Sequence, residues 1–352
     1  MNYNYFKNKR VLVTGHTGFK GSWLVSWLNI LGSKVMGISL DPPNGENHFK
    51  SLKKNLNIID KRGDIRNQVF LKKQIKKFKP DIVFHLAAQA IVSTSYDFPK
   101  KTFETNVIGT LNLLSVLYEL NKKCTVILIT SDKCYKNIEV TKGYKETDEL
   151  GGDDFYSSSK ASAELLINSF YKSFVKDKNK ALKIATARAG NVVGGGDWSE
   201  NRLIPDCMKC WSKNKKVILR NPNATRPWQH VLEALSGYLH LAYYLSKNKK
   251  INGQSFNFSN NQIKNFTVLD FIKGVREYWK RASWKVVKEK KFYESTLLQL
   301  NSTKAKKILK WKNKLKLRET IRLVGEWYKV YYTTNKKRVL TKDQILEYMN
   351  KN

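Results

Sequence analysis

The chain has 352 residues, 41% hydrophobic and 12% aromatic, which supplies a large core and, at this length, two lobes around one cleft. With four cysteines in no disulfide pattern, no apolar run of membrane-spanning length and no apolar leader in Met1 to Lys7, neither a secreted scaffold nor a membrane protein is expected, and the cytoplasm is the predicted compartment. The net charge of +36 invites a polyanion, but the lysines lie in scattered pairs such as Lys53-Lys54, Lys122-Lys123 and Lys249-Lys250, so no nucleic-acid face is expected.

The first predicted element is a strand, Val11-Leu12-Val13, followed by Thr14-Gly15-His16-Thr17-Gly18-Phe19-Lys20-Gly21 and a helix through Trp23 to Leu31. Glycines at 15, 18 and 21 permit a tight turn and close backbone approach, so the amides opening the helix can face a pyrophosphate. A second strand, Lys34 to Leu40, ends at Asp41, twenty residues after Gly21. An acid there accepts hydrogen bonds from ribose hydroxyls and repels a 2′-phosphate, which favours NAD over NADP.

Further along come a strand at Ile58-Ile59, a lysine-rich helix from Gln68 to Phe78 stopped by Pro80, a buried strand Asp81 to Leu86 and a long helix Pro99 to Leu120. Thr125 to Thr130 forms the fifth strand, Tyr156 to Phe174 the next helix and Lys183 to Ala189 a further strand. This alternation predicts an α/β protein with a doubly wound parallel Rossmann sheet in residues 1–190. From Gly190 the texture turns to glycine-rich loops and short helices, which predicts a smaller C-terminal substrate-binding lobe over 191–352, with part of 227–260 returning to the sheet domain. Ser246 to Asn252 and Ala282 to Lys291 read as exposed, and Thr341 is placed to cap a last helix, Lys342 to Tyr348. Cys207 and Cys210 have metal-ligand spacing without a second pair, so no metal is expected.

Tyr156 and Lys160, four residues apart on a helix, share one face, and an ammonium beside a phenol favours phenolate, a usable base. Before them, at the end of the fifth strand, stands Thr130-Ser131-Asp132-Lys133. A hydroxyl, an acid and an amine crowded at a strand end cost stability unless a ligand uses them. Asn191 and Arg226, with Arg202 and Arg220 as alternatives, are candidates for a substrate diphosphate, because a guanidinium fork holds phosphate oxygens in pairs. Asn106 is placed to order the catalytic end of the sheet, His85 to pack near the strand end, and Trp198 and Trp228 to pack the second lobe.

With the Gly15/Gly18/Gly21 loop, Asp64-Ile65, Leu86-Ala87-Ala88-Gln89 and the Tyr156/Lys160 pair, the chain resembles the extended short-chain dehydrogenase/reductase family over nearly its whole length. The longer phrases Gly15 to Leu24, Thr130 to Tyr135, Arg188 to Trp198, Arg202 to Asp206, Arg226 to Val231 and Glu294 to Ala305 resemble the sugar-nucleotide 4,6-dehydratases that act on CDP-glucose. The thymidine-linked dehydratases carry Asp-Glu where this chain has Asp132-Lys133.

The resemblance implies CDP-glucose as substrate and NAD as a cofactor that accepts a hydride and returns it. It implies Tyr156 as base at the C4 hydroxyl, Lys160 on the ribose, Ser131 on the C4 oxygen, Asp132 as acid toward the departing C6 hydroxyl and Lys133 assisting at C5. Gly15, Thr17, Gly18, Phe19, Lys20, Gly21 and Asp41 would hold the cofactor, Asp64 and Ile65 would meet its adenine, and Ala87, Ala88, Gln89 and Asn106 would line its channel. The helices at 99–120 and 156–174 resemble the pair through which family members dimerise, so a homodimer or homotetramer is expected. Two other readings stay open: another sugar-nucleotide dehydratase or C4 epimerase of the family, and a non-catalytic nucleotide-binding protein with a basic partner surface. An epimerase needs no acid-and-amine pair after the fifth strand.

Overall fold

In the computed structural model, which describes residues 1–200, 202–260, 266–279, 282–287, 298–334 and 339–351, strands and helices alternate through the first half of the chain. They run β1 (Arg10–Thr14), α1 (Phe19–Ile30), β2 (Lys34–Ser39), α2 (His48–Leu52), β3 (Ile58–Arg62), α3 (Gln68–Phe78), β4 (Ile82–His85), α4 (Val92–Asp97), α5 (Pro99–Phe103), α6 (Gly109–Leu120), β5 (Cys124–Ile129), α7 (Phe155–Phe170) and β6 (Leu182–Ala189). Beyond β6 follow β7 (Val192–Val193), α8 (Leu203–Ser212), β8 (Val217–Leu219), β9 (Gln229–His230), α9 (Val231–Lys247), β10 (Ser255–Phe258), α10 (Val268–Arg276), β11 (Trp284–Val286), α11 (Thr303–Leu309), α12 (Leu317–Thr333) and α13 (Thr341–Asn350).

Seven strands form one parallel sheet in the order β10-β6-β5-β4-β1-β2-β3. The chain builds outward from β1 to β3 and then returns to place β4 on the other side of β1. The strand order therefore reverses beside β1, and in such sheets that reversal opens a crevice at the carboxyl ends of the strands.

Alternation along the strands sends neighbouring side chains to opposite faces, and helices cover both. Val11 and Val13 pack with α1, α9, α12 and α13, whereas Leu12, Val83 and Val126 pack with α3, α6 and α7. Every residue of α1 from Gly21 to Leu28 is buried, the pattern of a core helix, so truncating one of its leucines would cost about 2–5 kcal/mol.

Elements of the second half of the chain contribute to the sheet and its covering helices. α9 packs on the sheet, β10 extends it, and α13 returns to α1, where the Tyr348 and Trp27 rings meet edge to face at 5.6 Å. The expected helix from Pro99 to Leu120 is interrupted: Glu104–Ile108 form a π-turn between α5 and α6. Of the segments read as exposed, Ile251 and Ala282 are buried, and Trp284–Val286 pair with β8. Thr341 caps nothing, because its hydroxyl is buried between His48 Nε2 (2.7 Å) and Trp327 Nε1 (3.1 Å).

Candidate active site

The glycine loop is pressed into the sheet's carboxyl edge. A β-carbon on Gly15, whose φ is +74°, would come 2.7 Å from Ala87 N, and one on Gly21 would come 2.1 Å from Gly15 O. Gly18 differs, since a β-carbon there would meet only Gly15 O, at 3.3 Å. Gly18 also caps α1 without any side-chain hydrogen bond, which leaves the helix dipole and first-turn amides to an outside anion. Thr17 ties the loop to the end of β2 through Ser39 Oγ at 2.7 Å and Leu40 O at 3.2 Å.

The remaining candidates spread along the same edge. Asp41 lies beyond β2 and is 84% exposed, with Arg62 Nε 3.5 Å from its carboxylate. Arg62 and its second partner Asp60 (2.9 Å) were not singled out in the sequence, although Asp60 also holds the loop residue His16 at 2.9 Å. Asp64, after β3, is paired with Arg66 at 2.7 Å, which holds its carboxyl below the usual range against the desolvation that would raise it. Ile65 is buried against Gly109.

After β4, Ala87 N donates to Thr14 Oγ1 at 3.2 Å, and Ala88 and Gln89 continue the loop. Asn106 braces that loop from within the π-turn: its Oδ1 accepts from Gln89 N (2.8 Å), and its Nδ2 donates to Gln89 O (3.1 Å) and to Ser159 Oγ on α7 (2.8 Å). π-turns recur at functional sites, and here the bulge aims one amide at two elements. From β2 to β5 the edge crosses three strand spacings, about 14 Å, room for an extended ligand with its diphosphate over the glycine loop.

At the β5 end, Asp132–Cys134 form a 3-10 turn capped by Ser131. Ser131 Oγ donates to Asp132 Oδ1 at 2.8 Å, and Lys133 N donates to the same oxygen at 3.0 Å. Tyr156 and Lys160 are both buried, with the Lys160 ammonium 5.8 Å from the Tyr156 ring centre. Burial pushes the Tyr156 phenol up to about 12; the Ser131 hydrogen bond and the Arg202 charge pull it down, and the Asp132 charge pushes it up. Burial thus works against phenolate in this site, where the sequence suggested a lowered value. Burial, reinforced by the Lys20 charge, brings Lys160 down to about 8, and burial with the Arg202 charge brings Lys20 to about 8.

Arg202 therefore shares this electrostatic neighbourhood, held by Asp197 at 3.0 Å, a partner the sequence reading missed. Asn191 (φ +50°) follows β6 at the crossing to β7, and its carbonyl accepts from Gln229 N. Arg226 Nη1 donates to Thr225 O at 2.9 Å; burial raises the Asp206 carboxyl pKa, and the Lys209 and Arg220 charges oppose that rise. His85 is a packed histidine, bonded to Thr14 (2.7 Å) and Thr110 (3.0 Å), with burial driving its pKa to about 3. Trp198 packs on Tyr331 and Trp228 on Phe271. Among the described residues no cluster of histidine, cysteine or acid could hold a metal, and no helix is long and apolar enough to cross a membrane. Glu294 to Leu297, within the last quoted phrase, lie outside the described residues.

The chain is 40% identical over 351 residues to CDP-glucose 4,6-dehydratase of Salmonella typhimurium, covering 99% of this chain and 98% of that one. It is 28% identical to UDP-glucose 4-epimerase of Mycoplasma genitalium over 92% of this chain and 97% of that one. The fold matches dTDP-glucose 4,6-dehydratase from Bacillus anthracis, solved in complex with NAD, with TM-score 0.76 and 23% identity over 91% of this chain and 96% of that chain. The family model described as GDP-mannose 4,6 dehydratase matches residues 12–324. A parallel sheet with a glycine cradle, a Tyr-Lys pair and an acid at the fifth strand thus sits in a chain that belongs to the GDP-mannose 4,6 dehydratase family.

Proposed function

We propose that the chain is an NAD-dependent lyase that converts CDP-D-glucose to CDP-4-dehydro-6-deoxy-D-glucose and water. The observation that carries this reading is the Ser131-Asp132-Lys133 turn beside Tyr156 and Lys160, an acid and an amine added to a Tyr-Lys pair at one strand end. The full-length similarity to the Salmonella enzyme supports the cytidine-linked substrate. The open face of Gly18, the uncapped start of α1 and Asp41 beyond β2 fit a dinucleotide whose ribose hydroxyls bond the acid. NAD, when bound, supplies a reversible hydride acceptor, so oxidation at C4 and reduction at C6 cancel and water is the net loss.

Tyr156 takes the proton of the C4 hydroxyl, and Ser131 hydrogen-bonds the same oxygen. Lys160 holds the cofactor ribose. The C4 ketone acidifies C5–H, and Asp132 gives its proton to the departing C6 oxygen while Lys133 assists at C5. The two acid-base roles are coupled, because the Asp132 charge is one cause that raises the Tyr156 phenol. A proton on Asp132 both prepares the leaving group and eases ionisation of Tyr156. Asn191, Arg202, Arg220 and Arg226 are the proposed contacts to the sugar-nucleotide diphosphate.

The proposed assembly is a homodimer, or a homotetramer built from it, through the helices flanking the site. Ile108 at the end of the π-turn before α6, Leu165 on α7 and Phe174 just beyond α7 stand exposed, and covering them supplies the hydrophobic drive. Four free cysteines, three of them buried, support a reducing cytoplasmic setting.

The test is a substrate panel: purified protein with catalytic NAD and CDP-glucose, dTDP-glucose, UDP-glucose or GDP-mannose, products identified by NMR. A 4-keto-6-deoxy product from CDP-glucose is expected. Turnover of GDP-mannose alone, or a C4 epimer as product, would sink the assignment.

A further inference from the structure

Behind the reacting groups lies a buried carboxylate that the chemistry above does not use. Tyr156, Lys160 and Glu164 recur at four-residue steps along α7, so the third shares the face of the first two. Glu164 Oε1 accepts from Thr130 Oγ1 at 2.5 Å and from Arg188 Nε at 2.8 Å. Its Oε2 accepts from Arg188 Nη2 at 2.7 Å, Thr186 Oγ1 at 3.0 Å and Ser255 Oγ at 3.2 Å. Both partners are almost wholly buried, with side-chain exposures of 3% for Arg188 and 2% for Glu164.

The network continues to the far end of the turn. Arg188 Nη1 donates to the Tyr135 hydroxyl at 2.6 Å, and its guanidinium lies 4.8 Å from the Tyr135 ring centre. Tyr135 in turn donates to Asn257 Oδ1 at 2.9 Å and stacks on Tyr144 at 5.1 Å. Thr130 and Tyr135 are the residues on either side of the Ser131 to Cys134 turn. One ion pair therefore holds the side chains of the residues just before Ser131 and just after Cys134.

We propose that Glu164 and Arg188 are positioning residues that clamp both ends of this turn and so hold Asp132 and Lys133 in register with the sugar's C5 and C6, a role that rests on the dehydratase reading above. A pair this deep is a poor source of net stability, because removing both charges from water offsets most of their attraction. What it does provide is fixed geometry, which the elimination step needs and hydride removal at C4, next to Tyr156, needs less.

The mild variant is Tyr135→Phe, which keeps the ring and loses both hydrogen bonds of the hydroxyl; Arg188→Lys and Glu164→Gln cut deeper. The expected kcat loss for Tyr135→Phe on CDP-glucose is about 10- to 100-fold, with KM within about twofold. Reduced cofactor should then accumulate in a single turnover at 340 nm, and the isotope effect from deuterium at C4 should shrink toward unity. Independently of substrate, hydrogen exchange of a peptide spanning 130–136 should rise about tenfold, with the β1 peptide unchanged. Uniform slowing of all steps with the wild-type isotope effect, or unchanged exchange across 130–136, overturns the assignment. If wild-type protein leaves CDP-glucose untouched, the substrate reading fails by itself and the exchange measurement still decides the clamp.

Discussion

The Asp132 carboxylate lies directly over the α-carbon of Gly190: a β-carbon added there would stand 1.7 Å from Asp132 Oδ2. Gly190 directly follows β6, and its missing side chain leaves the space in which the acid sits. Asp132 cannot simply swing away, because Ser131 Oγ and Lys133 N hold its other oxygen. Gly190→Ala should therefore displace the acid while the fold survives, with kcat down about 100-fold and stability changed by roughly 1–3 kcal/mol. Steady-state rates and a thermal melt measure both, and a wild-type rate would contradict the placement.

The two halves of the reaction should separate by mutation. Tyr156→Phe removes the base and abolishes oxidation at C4, so no deuterium leaves that carbon. Asp132→Asn keeps the size of the side chain and loses its acid, so oxidation proceeds and elimination slows by about 100-fold or more. A full dehydratase rate in Asp132→Asn would show that another group donates the proton.

Asn106 should matter for cofactor affinity more than for chemistry. Asn106→Ala leaves Gln89 N and O without their partner and frees the 87–89 loop from Ser159. NAD binding measured by calorimetry should weaken about tenfold, or ~1.4 kcal/mol. An unchanged Kd would make the π-turn a packing feature only.

Stability should carry an unusual pH dependence from Glu233. Its carboxylate accepts Lys314 N (2.7 Å), Leu315 N (2.6 Å) and the Tyr348 hydroxyl (2.9 Å), and burial raises its pKa from 4.5 to about 7 against those bonds. The folded state thus binds the proton more tightly than the unfolded chain. The stabilisation is complete below about pH 4.5 and is lost as pH rises through about 7, an effect of roughly 3 kcal/mol. Glu233→Gln should remove that decline, so the wild-type advantage over the variant shrinks between pH 5 and 8 in thermal melts. Parallel curves would contradict it.

How much of this was legible in the residues depends on where each structural cause lies. Strands such as Cys124–Ile129 and helices such as Gln68–Phe78 are local matters of apolar period and a terminating proline, and they stand within a residue of their expected positions. The π-turn at Asn106 was not legible, because its bonds reach Gln89 and Ser159, and periodicity carries no record of either. Thr341 reads as a cap for the same reason, since His48, the residue that claims its hydroxyl, is 293 positions away. The four-residue step from Lys160 to Glu164 was visible, but nothing in it announces Arg188 or Tyr135. Asp197 beside Arg202 was five residues off and open to notice.

The measurement that bears most directly on the proposed hydride loan uses CDP-glucose carrying deuterium at C4, with catalytic NAD and the wild-type protein. The deuterium is expected at C6 of the 4-keto product in the same molecule, with no build-up of reduced cofactor. Deuterium lost to solvent or retained at C4, or NADH formed in step with product, would contradict it.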